Sequence, residues 1–298
     1  PLPLMPIYKG MPGASMLAEV LLQKYEYHVP FYRQVKQLEH LGVKLSRKTL
    51  GGWFKPVCEL LEPLYLELKK VVLSSDYIQV DETTLPVIDH DRHKAAKEYI
   101  WMVRAAMPRL LFFHYDDGSR AQKVAVELLK PFKGYLQCDG YSAYDIFEEK
   151  EDVHLCACLA HIRRHLESGK EENREYAMQG LKFIQDLYNV EHMADERQLS
   201  YEERAALRQR LAGPLLDAFE LWLQNTYPKV LKRSLMGKAI AYTYPLMPRM
   251  RHYLYDGRIF IDNNGAENAL RPIVLTRKNM LFCGNQGAAK NTAVICSL

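Results

Sequence analysis

Three carboxylates in this 298-residue chain stand where metal-assisted phosphodiester chemistry would need them. Asp81 follows the apolar, β-branched run Tyr77-Ile-Gln-Val, Asp139 closes Gly134-Tyr-Leu-Gln-Cys, and Glu267 follows Asp262-Asn-Asn-Gly-Ala. Cleavage by two metal ions requires hard oxygen ligands fixed beside the scissile phosphate. One ion activates the attacking hydroxyl and the other stabilises the leaving oxygen. Two strand ends and one helix can hold three carboxylates to the tolerance such a site demands. Each acid also has a plainer reading: Asp81 as a turn or cap residue, Asp139-Gly140 as a turn, Glu267 as a solvated helix carboxylate. Their joint placement on successive elements favours the site. Glu82, Asp145 and Asp262 rank next, but Glu82 alternates to the other face of its strand and Asp262 suits a helix cap.

Cations flank these acids. Arg271 lies one turn beyond Glu267, on the helical face shared by Asn264 and Asn268, and Arg277-Lys278 forms a short basic patch. Arg33, Lys36, Arg47 and Lys48 lie on two helices joined by a brief turn at Gly42, an arrangement resembling a helix-turn-helix, although a helical hairpin packed on the next domain fits equally. Net charge is +4, with ten Lys/Arg against six Glu in residues 1–75, and four cations with no acid after Glu267. A basic start and a basic end around an acidic middle suit a chain that holds a polyanion, though ordinary surface charge gives the same balance. Cys156, Cys158, His161 and His165 form a dense set of soft ligands that could take zinc. Against zinc, one residue separates the two cysteines, and Cys158, His161 and His165 also fit one buried helix face.

Elements must position these groups. Helical signals cover Ser15–Tyr25 and Pro30–His40, and Ser46 reads as the N-cap of a helix through Trp53 and beyond. Strands are expected at Tyr77–Thr83, Tyr99–Ala106, Leu110–Tyr115, Gly134–Cys138 and Val153–Cys158, with Asp81 and Asp139 at strand ends. Asp89–Lys97 is a polar connection and Met107-Pro108-Arg109 a hairpin-type link. Ser119–Lys130 has helical spacing. Residues 159–255 read as about four helices, with a capping box at Ser200 and Glu203 and an interruption at Gly213-Pro214. Arg258–Ile261 is a short extended piece, Met280–Cys283 a last strand or loop, and the remainder a glycine-containing tail. Three meandering strands, a helix, then strands separated by a helix give an α/β chain with a ribonuclease H-like mixed sheet, an all-helical insertion and an N-terminal helical region. The stretches are 1–75, 76–158, 159–255 and 256–298.

Hydrophobic content of 48% and charged content of 26% are ordinary for a globular protein. No apolar run approaches the ~20 residues of a membrane span, so no membrane partner is expected and the cytoplasm is the default location. Six unevenly spaced cysteines do not form a secreted disulfide framework.

Several motifs, in one order, resemble the insertion-sequence sixty-six transposases of the DDE group. They are V-D-E-T at Val80–Thr83, Q-C-D-G-Y at Gln137–Tyr141, C-L-A-H-I-R-R at Cys158–Arg164, and D-G-R-I-F-I-D-N-N-G-A-E-N-A-L-R-P at Asp256–Pro272. R-K-N-M-L-F-C-G at Arg277–Gly284 and K-Y-E-Y-H-V-P-F-Y-R-Q at Lys24–Gln34 match as well. The resemblance implies a ribonuclease H-like core with a helical insertion before the third carboxylate, and it places Asp81, Asp139 and Glu267 at the family's catalytic triad. It implies Mg²⁺, with Mn²⁺ able to substitute, and double-stranded DNA as partner, both transposon ends and target. Homo-oligomers on DNA are expected, with Arg271, Arg277, Lys278, Arg47 and Lys48 as backbone contacts. Cys158 and His161 match a C-x-x-H motif shared among such enzymes. Family members carry further N- and C-terminal segments, so this chain is expected to be truncated at both ends. Two other readings stay open: a ribonuclease H-fold nuclease or resolvase that cuts without joining, and an inactive transposon-derived DNA-binding protein.

Overall fold

A computed structural model of the chain describes residues 5–8, 10–89, 91 and 93–298. Part of the Pro/Gly-rich lead-in (residues 1–4 and 9) and two positions of the polar connection (90 and 92) lie outside the described residues. Among the described residues, five strands form one mixed sheet in the order β3-β2-β1-β4-β5. These are β1 (Tyr77–Asp89), β2 (Lys94–Ala105), β3 (Leu110–His114), β4 (Gly134–Gln137) and β5 (Val153–Cys156). β2 and β3 are antiparallel, β4 is parallel to β1, and β5 is parallel to β4. A meander followed by parallel strands is the strand arrangement of a ribonuclease H-like core, as the sequence predicts.

The chain divides into two compact units, one comprising Pro1–Ser74, Val80–Leu128 and Ala266–Leu298, the other Ser75–Gln79 and Leu129–Gly265. In the first, α1 (Ala14–Tyr25), α2 (Phe31–His40) and α3 (Arg47–Leu73) precede the meander, and α4 (Gln122–Leu128) follows it. The Ser46 hydroxyl caps α3 by accepting from the Thr49 amide at 3.0 Å. Pro30 is the N-cap of α2 rather than its first helical residue, because its extended backbone (ψ 151°) is not helical. Most of α10 (Asn264–Met280) and all of α11 (Gln286–Ser297) complete this unit. Its core joins Leu85 and Val87 of β1, Ile100 and Met102 of β2 and Phe113 of β3 to Ala266, Leu270 and Ile273 of α10. Those three helical positions recur at the spacing of one α-helical face.

β1 is longer than the sequence suggests. Leu85 and Val87 alternate inward, and the far end gains a backbone partner distant in sequence: the Cys283 amide donates to Pro86 O at 2.8 Å, and the Ile88 amide to Cys283 O at 2.9 Å. Pro86 lacks an amide hydrogen, so only its carbonyl is used, as proline requires in a strand. Much of the expected polar connection Asp89–Lys97 is accordingly strand. The expected tail is the helix α11, its first turn capped by Asn285, whose Oδ1 accepts from the Ala288 amide at 2.8 Å. Asn285→Ala is expected to lower the unit's stability by about 1 kcal/mol, read as a shift in urea midpoint without a change in slope.

The second unit holds α5 (Leu159–Ser168), α6 (Arg174–Glu196), α7 (Tyr201–Thr226), α8 (Leu235–Thr243) and α9 (Met247–Arg251) together with Tyr77–Gln79, β4 and β5, and α9 packs on β5. The Ser200–Glu203 capping box forms. Gly213-Pro214 does not interrupt α7. Pro214 forgoes one helical hydrogen bond and crowds the preceding turn, at about 3 kcal/mol. Burial of Leu207, Leu216, Phe219 and Leu223 along the same helix, at about 2 kcal/mol each, outweighs that cost. Arg208 of α7 is wholly buried and pairs with Glu191 of α6, with Nε–Oε1 at 2.8 Å and Nη2–Oε2 at 2.6 Å. It also donates to the carbonyls of Tyr253 and Asp256, both at 2.9 Å. Gly134 opens β4 with φ +119°, and a Cβ there would stand 2.2 Å from Asp76 O, so the turn into the strand requires glycine. Among the described residues no helix is long and apolar enough to cross a membrane.

Candidate active site

β1 and β4 pair in parallel with Tyr77 opposite Tyr135, Ile78 opposite Leu136 and Gln79 opposite Gln137. Asp81 and Asp139 thus each follow one of a paired set of glutamines by the same two-residue offset. The expectation that Asp81 ends its strand is corrected, since β1 continues to Asp89 and only its pairing with β4 stops at Gln79. Asp139 lies past the end of β4, whose last residue is Gln137.

The start of β1 and the end of β4 are locked by a buried polar network within the second unit. The Tyr77 hydroxyl donates to Gln137 Oε1 at 2.6 Å, and Gln79 Nε2 donates to the same oxygen at 2.8 Å. Gln137 Nε2 donates to Phe260 O at 2.7 Å and Ala157 O at 3.3 Å, while the Phe260 amide donates to the Tyr77 hydroxyl at 3.0 Å. Gln79 and Gln137 are fully buried, and leaving either without its partner would cost about 1–3 kcal/mol. Residues 258–261 therefore do not form the expected extended piece. Their backbone groups bond to side chains and to the Leu159 amide instead of a ladder. Arg258 ties the same segment to Asp256 (2.7 Å) and Asp76 (2.8 Å).

Each aspartate is oriented by backbone. Asp81 Oδ1 accepts from the Glu82 amide at 2.8 Å, and Asp139 Oδ1 accepts from the Tyr141 amide at 2.9 Å. Beside Asp139, the Gly140 amide donates to the Tyr242 hydroxyl at 3.1 Å. Burial pushes the Tyr242 phenol up to about 12, with the Asp139 charge adding and the Gly140 bond opposing. In the first unit Glu267 is half-buried and adjoins Ala266 at the edge of the apolar face of α10. The helix is entered through Asp262, whose Oδ1 accepts from the Asn264 amide at 3.0 Å and whose Oδ2 accepts from Tyr188 at 2.8 Å.

The lower-ranked acids have ordinary duties. Glu82 is almost fully buried and pairs with Arg120 at 2.6 Å, Asp145 pairs with Arg249 at 2.6 Å, and Asp262 serves the start of α10. Among the cations, Arg271, Lys278, Arg47 and Lys48 are exposed. Arg277 is half-buried and donates to Thr84 O at 2.6 Å, bracing β1 from α10. Lys278 lies in the last turn of α10, where a cation complements the helix dipole. Arg47 and Lys48 lie in the first turn of α3, which holds no acid, so their charges oppose the dipole.

The four soft ligands are otherwise engaged. Cys158 Sγ accepts from the Asn263 amide at 3.1 Å, tying the start of α5 to the segment before α10. Cys156 Sγ faces His154 O at 3.8 Å, His161 Nε2 lies 3.2 Å from Arg164, and His165 stacks on Tyr242 with ring centroids 3.8 Å apart. None of the six cysteines is in a disulfide. Burial pushes the Cys158 thiol up to about 11 and those of Cys58 and Cys296 up to about 12, and raises Cys156 and Cys283 too. Among the described residues, no three Asp, Glu, His or Cys side chains form a group placed to hold a metal ion. In donor type, Asp81, Asp139 and Glu267 supply the carboxylate oxygens that suit a hard divalent cation. Sequence reasoning missed Gln79, Gln137 and Tyr242. The repeated Q-x-D pattern, Gln79 to Asp81 and Gln137 to Asp139, could have revealed the two glutamines.

The chain matches the transposase IS66 family over residues 9–291. It is also similar to three uncharacterized proteins of Sinorhizobium fredii. Protein y4jD is 29% identical over 303 residues, covering 97% of this chain and 59% of that protein. Protein y4qI is 31% identical over 312 residues, covering 98% and 56%, and y4hP is 26% identical over 315 residues, covering 97% and 56%. The chain spans a little over half the length of these relatives.

Proposed function

The chain belongs to the transposase IS66 family, and from that premise we propose that it carries the catalytic core of a DNA transposase. Its reaction is hydrolysis of a phosphodiester at the transposon end, followed by attack of the freed 3′-hydroxyl on a target phosphodiester. The second step exchanges one phosphodiester for another, so it needs no external energy source. Asp81, Asp139 and Glu267 would hold Mg²⁺, or Mn²⁺ in its place. When bound, the metal lowers the pKa of the attacking oxygen's proton and offsets charge on the leaving oxygen.

The protein's part is to fix its carboxylates and grip the DNA backbone. The amides of Glu82 and Tyr141 orient the two aspartates. The buried Tyr77–Gln79–Gln137 network holds the strand segments that precede them. Arg271, Lys278, Arg47 and Lys48 contact phosphate. The unfavourable placement of Arg47 and Lys48 on α3 favours a polyanion partner over helix stability as their purpose. Arg277 acts through β1, holding Thr84 behind Asp81. The protein works as a homo-oligomer on paired ends. The observation that carries the reading is the family match across residues 9–291, a range that includes Asp81, Asp139 and Glu267.

The test is a strand-transfer assay with labelled transposon-end DNA, target plasmid and Mg²⁺. Cleaved ends joined to target are expected. Cleavage with no joined product would favour the nuclease or resolvase reading, and DNA binding with neither product would favour the inactive DNA-binding protein.

A further inference from the structure

Three observations converge on Tyr242 of α8. The Gly140 amide donates to its hydroxyl at 3.1 Å. A Cβ at Gly140 would stand 2.6 Å from its ring atom Cε2 and 2.9 Å from its hydroxyl, so the ring lies directly against a bare Cα. The ring also stacks on His165 of α5 at 3.8 Å and an interplanar angle of 24°. The residues on either side of Gly140 form one turn, because the Tyr141 amide folds back to donate to Asp139 Oδ1 at 2.9 Å. Two consecutive amides are therefore committed, Gly140's to Tyr242 and Tyr141's to Asp139 itself. Rotation of the Asp139–Gly140 peptide would break the first bond, and rotation of the Gly140–Tyr141 peptide the second.

We propose that Tyr242 is a positioning residue for Asp139, a helix of the insertion reaching in to fix the turn that aims the carboxylate. The inference rests on the reading of Asp139 as a metal-holding acid. A phenol both accepts and donates, so Tyr242 holds the Gly140 amide without giving up its own proton. A phenylalanine would keep the stack on His165 and the contact with Gly140 but lose the acceptor. The turn would then be free to reorient while the helices stayed packed. Groups that orient a metal-holding side chain in this way typically change metal affinity by about 10–100-fold when removed.

Calorimetric titration of this chain with Mn²⁺ tests the inference, with thermal unfolding of each variant alongside. Tyr242→Phe is expected to weaken Mn²⁺ binding about tenfold while unfolding at nearly the parent temperature. Gly140→Ala, which drives a methyl against the ring, should weaken it comparably, and the double variant should add little to either, as coupled positions do. Asp139→Asn in the same titration separates the two levels. If it binds Mn²⁺ as the parent does, or if the parent binds none, the carboxylate reading falls and this inference with it. If Asp139→Asn loses binding while Tyr242→Phe and Gly140→Ala keep parental affinity, the carboxylate reading stands and the role of Tyr242 is overturned.

Discussion

Asp81→Asn is expected to lower metal-dependent cleavage of transposon-end DNA on the order of a thousandfold, a loss of about 4 kcal/mol in barrier lowering. The substitution is nearly isosteric and keeps an oxygen that can accept from the Glu82 amide, so the local backbone has no reason to move. What it removes is one negative charge from the donor set. Asp139→Asn and Glu267→Gln should behave alike. The control is the adjacent acid. Glu82→Gln weakens a nearly buried ion pair with Arg120 and should lower stability while the folded fraction retains cleavage. Initial rates with Mg²⁺ and with Mn²⁺ on a defined end oligonucleotide decide the matter. Retention of cleavage by Asp81→Asn, or its loss in folded Glu82→Gln, would remove Asp81 from the site.

Arg208→Met carries the largest expected effect on stability, a loss of about 3–5 kcal/mol in the unit that contains it. Arg208 is 1% exposed and makes four hydrogen bonds, two to Glu191 and two to the carbonyls of Tyr253 and Asp256. Methionine matches its length and apolar stem but leaves both carbonyls without this donor, and leaves the buried Glu191 with Arg204 at 3.0 Å. Adding Glu191→Leu should restore part of the loss, because the second buried charge then disappears as well. Urea unfolding followed by circular dichroism measures each variant. A single Arg208→Met variant within about 0.5 kcal/mol of the parent would show that the network contributes nothing net to stability.

Order of elements was readable from the sequence, because strand alternation and helical spacing are local signals. The three acids were chosen on equally local grounds, each by its neighbours within a few residues. Element ends were not, where distant partners decide them. The second half of β1 depends on Cys283, nearly two hundred residues away, and α11 hid behind Gly284 and Gly287 although Asn285 supplies its cap. Pro214 looked like a break because the apolar face that holds α7 together is energetic rather than visible at the Gly-Pro pair. Arg208 and Tyr242 were invisible for a related reason. Arg208 looks like any solvated helix cation until its partners 17 and 45 residues away are placed around it. Gln79 and Gln137 read as minor interruptions of apolar runs, whereas their amides join two strands and a loop.

That no cysteine is in a disulfide has a practical consequence for following this molecule on a substrate. Alkylating reagents attack the thiolate, and a thiol pushed up to about 12 is almost never in that form at neutral pH. Cys58 and Cys296 of the folded chain should therefore react slowly with maleimides, and their labelling would report unfolding. A single cysteine introduced on the exposed side of α3, in place of Glu59, would then react far faster than either of these two. A crosslinker or fluorophore attached there would map which part of a bound polymer passes that helix, with no need to strip out the native sulfur.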